Sequence, residues 1–320
     1  MKPLEPITLD EICFARKRIV SVAVRTPLVR LNIEDTAAEI WLKLENLQPV
    51  GSFKIRGAGN AMLQAEPLEL AKGVWTVSAG NMAQAVAWFA RQRGIGFTAV
   101  VPDNAPANKR EAITRLGGRI VSVPFADYQQ IQITRRYPGM DGVLIHPFAD
   151  SAVMAGNGTI GLEILEDLPG VDAVVVPYGG GGLSCGIASA IRALAPRVKV
   201  FASEVETGAP LHAAFAAGKP VEVKYSHSFV SGIGAPFVFP EMWQLASRLL
   251  DDSFVVTLEQ VASAIKLMAE RNHIIVEGAG AVPVAAAMTD KPGCRKVVCV
   301  VSGGNIASAE LIRILQGQVP

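Results

Sequence analysis

Three apolar runs in this chain each end in a short loop of glycine and small polar residues, and that recurrence constrains the fold more than any other feature. Val77 leads into Ser78-Ala79-Gly80-Asn81, Pro177-Tyr178 into Gly179-Gly180-Gly181-Gly182, and Val301 into Ser302-Gly303-Gly304-Asn305. In an open α/β sheet the ligand lies beyond the carboxyl ends of the strands, where free backbone N–H groups at helix starts attract anions. Glycine lets the backbone approach such an anion closely, and four in succession are costly to order, so a phosphate cradle is a sufficient reason for them. The dinucleotide pattern G-x-G-x-x-G fails, because counted from Gly179 its sixth position is Ser184, and the triphosphate pattern G-x-x-x-x-G-K-[ST] is absent. A small phosphate monoester is the expected ligand. A set of tight strand-to-helix turns with no ligand is the competing reading.

Around these loops, apolar runs at residues 74–77, 97–101, 120–123, 143–145, 173–176, 198–202 and 297–301 alternate with helical patterns at 82–93, 108–116, 183–194 and 258–271. In the last of these Leu258, Val261, Ile265, Met268 and Ala269 recur at helical spacing, and Thr257 with Gln260 forms a capping box. Such alternation predicts an α/β fold with parallel sheets covered on both faces. A length of 320 residues suggests two domains, although no linker marks a boundary.

Half the residues are hydrophobic, which excludes disorder as the dominant state. A net charge of +1 gives no reason to expect nucleic acid or an anionic membrane as partner. The cysteines (Cys13, Cys185, Cys294, Cys299) form no C-x-x-C pair, and the histidines (His146, His212, His227, His273) form no metal-ligating pair on a helix. The uncharged run at 173–191 contains Pro177, Tyr178 and four glycines, so it reads as strand, loop and helix start rather than a membrane span. With no signal-peptide stretch in residues 1–20, a cytoplasmic protein is expected.

A lysine stands between two large apolar residues in Gly51-Ser52-Phe53-Lys54-Ile55-Arg56-Gly57. Isolated lysines are usually solvated surface groups. A desolvated one has a lowered pKa and can form a Schiff base with an aldehyde cofactor.

Taken together these motifs resemble the threonine/serine dehydratase–serine racemase family, pyridoxal 5′-phosphate (PLP) enzymes of fold type II. The resemblance runs through Thr26-Pro27-Leu28, Leu42-Lys43-Leu44-Glu45, the segment from Gly51 to Ala58, the serine–asparagine loop, His146-Pro147-Phe148, Gly158-Thr159-Ile160-Gly161-Leu162-Glu163, the tetraglycine and the terminal Ser-Gly-Gly-Asn. It implies two α/β domains with parallel-rich twisted sheets flanked by helices. The large PLP-binding domain would comprise 1–49 and 149–320, and a small domain, 50–148, would close over the substrate. Lys54 would hold PLP as an internal aldimine and shuttle the substrate α-proton, with Phe53 beside the ring. Gly179, Gly180, Gly181, Gly182 and Leu183 would bind the phosphate, Asn81 the ring hydroxyl, and Ser302 the pyridine nitrogen. A neutral hydroxyl at that nitrogen makes PLP a weaker electron sink, which favours β-elimination. Ser78, Ala79, Gly80, Asn81 and Met82 would bind the substrate, Ser78 gripping its carboxylate. The implied reaction converts L-threonine, L-serine or a bulkier β-hydroxy amino acid to a 2-oxo acid and ammonia, in a homodimer. An amino-acid racemase and a β-replacement synthase are the alternative enzymes, and an inactive binding protein of the same fold is the third.

Departures from the family pattern sharpen this. Racemases carry a serine where this chain has Ala79, and a methyl group cannot donate a proton, so little racemisation is expected. Pro210 falls where metal-binding relatives have an aspartate, so Glu204 is read as a satisfied strand-end carboxylate and no metal is expected. Met82 replaces a usual histidine; it either admits a bulkier, less polar β-substituent or simply packs at its helix start. Ser231-Gly232-Ile233-Gly234 stands where an aspartate–glycine pair is usual. Cys185 is expected to be a small packing residue, and a core or surface role is expected for His146 and His227. The sequence ends shortly after the Ser302 loop, so no C-terminal regulatory module, and hence no isoleucine feedback, is expected.

Overall fold

The computed structural model describes residues 4–34, 36–289 and 294–320. Among these described residues, ten strands build two sheets. The larger is formed by β1 (Leu28–Arg30), β2 (Glu39–Lys43), β7 (Ala173–Pro177), β8 (Lys199–Val205), β9 (Asp252–Val256) and β10 (Lys296–Val300) in the order β1-β2-β10-β7-β8-β9. All its neighbours are parallel except β1 and β2. The smaller sheet is wholly parallel, ordered β5-β4-β3-β6, from β3 (Val74–Val77), β4 (Phe97–Pro102), β5 (Arg119–Val123) and β6 (Val143–Leu144). The predicted seven strands therefore fall where expected. The other three, β1, β2 and β9, were not predicted.

Continuous valine-rich runs form the central strands because both sheet faces are dry. In β7 and β10, Val174, Val176, Val298 and Val300 face one core, shared with the helices Leu9–Ile19, Ser151–Asp167, Gly182–Leu194 and Pro240–Leu249. The alternate residues Ala173, Val175, Val297 and Cys299 face a second core, against the helices Leu258–Leu267 and Gly278–Met288. The run at 173–191 is strand, loop and helix, and no described helix is long and apolar enough to cross a membrane. The helix predicted over 258–271 opens on the Thr257–Gln260 capping box, but its α-helical part ends at Leu267 and a π-helical turn, Met268–Asn272, finishes it.

Six of the family-motif residues meet in one buried ionic cluster. The Arg56 guanidinium grips Glu45 with Nε and Nη2, both at 2.8 Å, and Glu163 with Nη1 at 2.6 Å and Nη2 at 2.8 Å. Lys43 Nζ lies 2.6 Å from the same Glu163, and the Thr26 and Thr159 hydroxyls sit on Glu45 Oε1 and Arg56 Nη1. Burial opposes the charge on Glu45, yet Arg56 beside it outweighs that and holds the carboxyl below its ordinary range. The cluster joins the end of β2 and the helix Ser151–Asp167 to the first turn of the helix Lys54–Gln64, two residues from Lys54.

Candidate active site

The loops after β3, β7 and β10 meet at the carboxyl ends of both sheets, around a cavity of about 350 Å³. Lys54, Phe53, Ser78, Ala79, Gly80, Asn81, Met82, Gly179, Gly180, Gly181, Gly182, Leu183 and Ser302 all line it. The lysine segment is tied to the Ser302 loop by backbone: Phe53 N donates to Ser302 O at 3.0 Å and Gly304 N to Gly51 O at 2.9 Å, while Ser52 pairs with Gly303. Residue 54 thus begins its helix at a fixed distance from the third loop.

Lys54 Nζ donates to the Pro147 carbonyl at 2.6 Å and lies 5.0 Å from the Phe53 ring centroid. Burial pulls its pKa down from 10.5 to about 8, against an opposing pull from Glu277. At pH 7 about a tenth of such an amine is neutral, against a few parts in ten thousand for an ordinary lysine. The motif His146-Pro147-Phe148 supplies the floor. Burial drives the His146 pKa down to about 3, so the ring is neutral. Its Nδ1 accepts from Ala149 N at 3.0 Å and its Nε2 lies 3.1 Å from Gln132 O, which assigns the proton to Nε2. His146 is thereby a scaffold for the Pro147 carbonyl.

The tetraglycine, packed against the neighbouring Phe148, forms a turn that side chains would fill. A Cβ on Gly180 would meet the Phe148 ring at 2.2 Å, and one on Gly182 the Phe148 carbonyl oxygen at 2.5 Å. Gly181 is left-handed at φ +86° and caps the helix Gly182–Leu194 with no side-chain hydrogen bond, which leaves the first N–H groups for a ligand. A desolvated amine and an anion-binding turn lining one cavity suit an aldehyde that also carries a phosphate. The donor set fits PLP.

The loop after β3 and the rest of the lining refine the expectations. Ser78 Oγ accepts from Gly80 N at 3.2 Å. Met82 is 1% exposed, packs in the core of the smaller sheet and also lines the cavity. Cys185 is buried in the core, where burial pushes its thiol up to about 12, an inert packing group. Glu204 accepts from Leu211 N at 2.9 Å, His212 N at 2.7 Å and Ser253 Oγ at 2.7 Å, capping the helix Pro210–Ala217. Four polar lining residues were not foreseen: Glu277, Lys109, Tyr128 and Gln132. Asn81 Nδ2 donates to Glu277 Oε1 at 2.7 Å, and Lys109 Nζ reaches Ser231 Oγ at 2.9 Å across the mouth of the cavity. Glu277 had one sequence signal, an acid directly ahead of a helix of small residues; Lys109 had none.

Comparison with known proteins agrees with this geometry. A family profile described as "Pyridoxal-phosphate dependent enzyme" matches residues 20–303. The L-threonine ammonia-lyase of Thermotoga maritima is 39% identical over 314 residues, covering 97% of this chain and 78% of that protein. Maize serine racemase superposes with a TM-score of 0.88 at 32% identity, covering 98% of each chain. The processed form of threonine deaminase isoform 2 from Solanum lycopersicum does so with a TM-score of 0.85 at 29% identity, covering 99% of this chain and 91% of the other. The chain belongs to the PLP-dependent enzymes of fold type II, in the threonine/serine dehydratase–serine racemase family.

Proposed function

We propose that the protein is a PLP-dependent ammonia-lyase that eliminates water from a β-hydroxy amino acid, L-threonine or L-serine, and releases an enamine, whose imine form takes a water back as it loses ammonia and leaves the 2-oxo acid. The observation that carries this reading is a single desolvated amine, Lys54 Nζ, facing a cavity in which residue 79 presents only a methyl group. Bound PLP supplies an electron-withdrawing ring that makes the substrate α-proton acidic.

The chain's own groups do the rest. The lowered pKa of Lys54 makes part of its amine neutral, so it can condense with an aldehyde and later take a proton. Ser78 and the backbone of residues 79–81 receive the substrate carboxylate at the N-terminus of the helix Asn81–Gln92. With the carboxylate held there, Lys54 takes the α-proton, and the β-hydroxyl leaves as water with a proton returned from the Lys54 ammonium. Reprotonation of the α-carbon from a second face needs a second acid, and Ala79 offers none; that favours elimination over racemisation. Ser302 serves the pyridine nitrogen as a neutral partner. The residues 50–148 act as the small domain that closes over the cavity and excludes water. Cysteine usage supports a cytoplasmic protein, and the family resemblance supports a homodimer.

A coupled 2-oxo acid assay across L-serine, L-threonine and aryl β-hydroxy amino acids, with both enantiomers of each substrate quantified, tests this. Oxo acid forms from at least one substrate while its enantiomer stays at background. Enantiomer formation outpacing oxo acid would establish a racemase instead, and incorporation of an added thiol would establish a synthase.

A further inference from the structure

Glu277 occupies a position where an acid ordinarily caps its own helix. It is the residue before the helix Gly278–Met288, yet its carboxylate makes no capping hydrogen bond there. It turns instead to Asn81, 196 residues away in sequence, and takes that amide's Nδ2 at 2.7 Å. The other end of the same amide is held as well: Asn305 Nδ2 donates to Asn81 Oδ1 at 2.9 Å and to Val50 O at 3.0 Å. A Cβ on Gly303 would stand 2.3 Å from Glu277 Oε1 and 3.2 Å from Asn81 Nδ2, so this loop glycine leaves room for the pair.

We propose that Glu277 is a positioning residue, which acts through Asn81 by fixing which way round its side-chain amide sits in the cavity. An ionised carboxylate only accepts hydrogen bonds, so it selects the orientation with NH₂ towards Glu277 and the oxygen towards Asn305. The amide then keeps one N–H for a ligand; with the amide reversed, the same ligand would face an oxygen. The inference rests on the proposed PLP site, because the cofactor's ring oxygen is what that N–H would meet. Lys54 and Lys109 are the charged groups facing Glu277, and both favour its ionised form against the effect of burial, which raises its pKa.

The test is a double-mutant cycle on the whole enzyme, reading the PLP dissociation constant and the visible absorption of the bound cofactor. Glu277→Ala raises the dissociation constant about tenfold, the worth of one charge-assisted hydrogen bond. Glu277→Gln, which still offers Asn81 an acceptor, recovers most of that loss. In an Asn81→Ala background, Glu277→Ala has no further effect. Equal losses for Ala and Gln, or a full effect that persists without Asn81, would show that Glu277 acts by charge on Lys54 and overturn the proposal. Unchanged PLP affinity in Glu277→Ala would overturn it too while leaving the proposed function standing. A native protein that takes up no PLP would overturn both.

Discussion

Replacing Arg56 with alanine tests how the sequence motifs are converted into a placed lysine. Arg56 is 2% exposed and is the shared partner of Glu45 and Glu163, whose side chains are 0% and 6% exposed. Its loss leaves Glu163 with Lys43 but gives Glu45 only the Thr26 hydroxyl and the Gln48 amide as hydrogen-bond donors and Lys43 as the remaining nearby cation, a buried carboxylate without its ion-pair partner. Breaking a buried pair in this way costs roughly 3–5 kcal/mol. For a chain of this size that lowers Tm by about 5–10 °C. The pH dependence has a definite sign. With Arg56 present, the Glu45 pKa is depressed in the fold, so its contribution is complete above the unfolded value of 4.5 and is lost as pH falls through the folded value. Without Arg56, burial prevails and the folded pKa rises, so the penalty grows as pH rises above 4.5. The deficit between native and variant is therefore larger at pH 8 than at pH 4. Arg56→Lys keeps the charge but loses the fork and falls between the two. Circular-dichroism melts at the two pH values read this directly. A variant melting within about 1 °C of the native protein, or a deficit independent of pH, would refute the reasoning.

Other outcomes follow from the cavity itself. The rate at which the cofactor-free protein captures PLP should rise with pH and level off above about 8, where the Lys54 amine is neutral, as stopped-flow absorbance would show. Gly180→Ala drives a methyl into the Phe148 ring, so PLP affinity should fall by at least tenfold in equilibrium dialysis, with the fold retained. Met82→His should shift relative kcat/KM towards serine and threonine over aryl β-hydroxy amino acids; an unchanged ranking would assign Met82 to packing alone. Lys109→Ala removes the bridge to Ser231 across the cavity mouth and should raise KM by several-fold while leaving the melting temperature within about 1 °C, as for an exposed polar contact.

How much of this was legible in the sequence depended on whether the signal is local. The strand Val74–Val77 and the core of Ala173–Pro177 could be read because both faces are dry and their β-branched and aromatic residues run on without a charge. By contrast β2, Glu39–Lys43, starts with glutamate and ends with lysine, and β9 begins Asp252-Ser253, so neither reads as a strand. Lys43 belongs in a strand only because Glu163, 120 residues on, neutralises it. The three loops were legible because glycine leaves a mark at its own position, and so was Lys54 with its apolar neighbours. The motif residues Thr26, Glu45, Arg56, Thr159 and Glu163 were visible as letters, but their partnership was not, since side-chain pairing across the fold has no periodicity. Glu277 was missed for the same reason: its partner Asn81 lies on the other sheet's loop.

Among the described residues two lysines, Lys54 and Lys109, line the cavity, and the proposed chemistry requires the first to be the one that bonds to PLP. Borohydride reduction of the holoenzyme followed by peptide mapping decides between them. The account predicts the reduced cofactor on the peptide carrying Lys54, and none fixed in a Lys54→Ala variant. Cofactor fixed at Lys109, or at no lysine in the native protein, would contradict it.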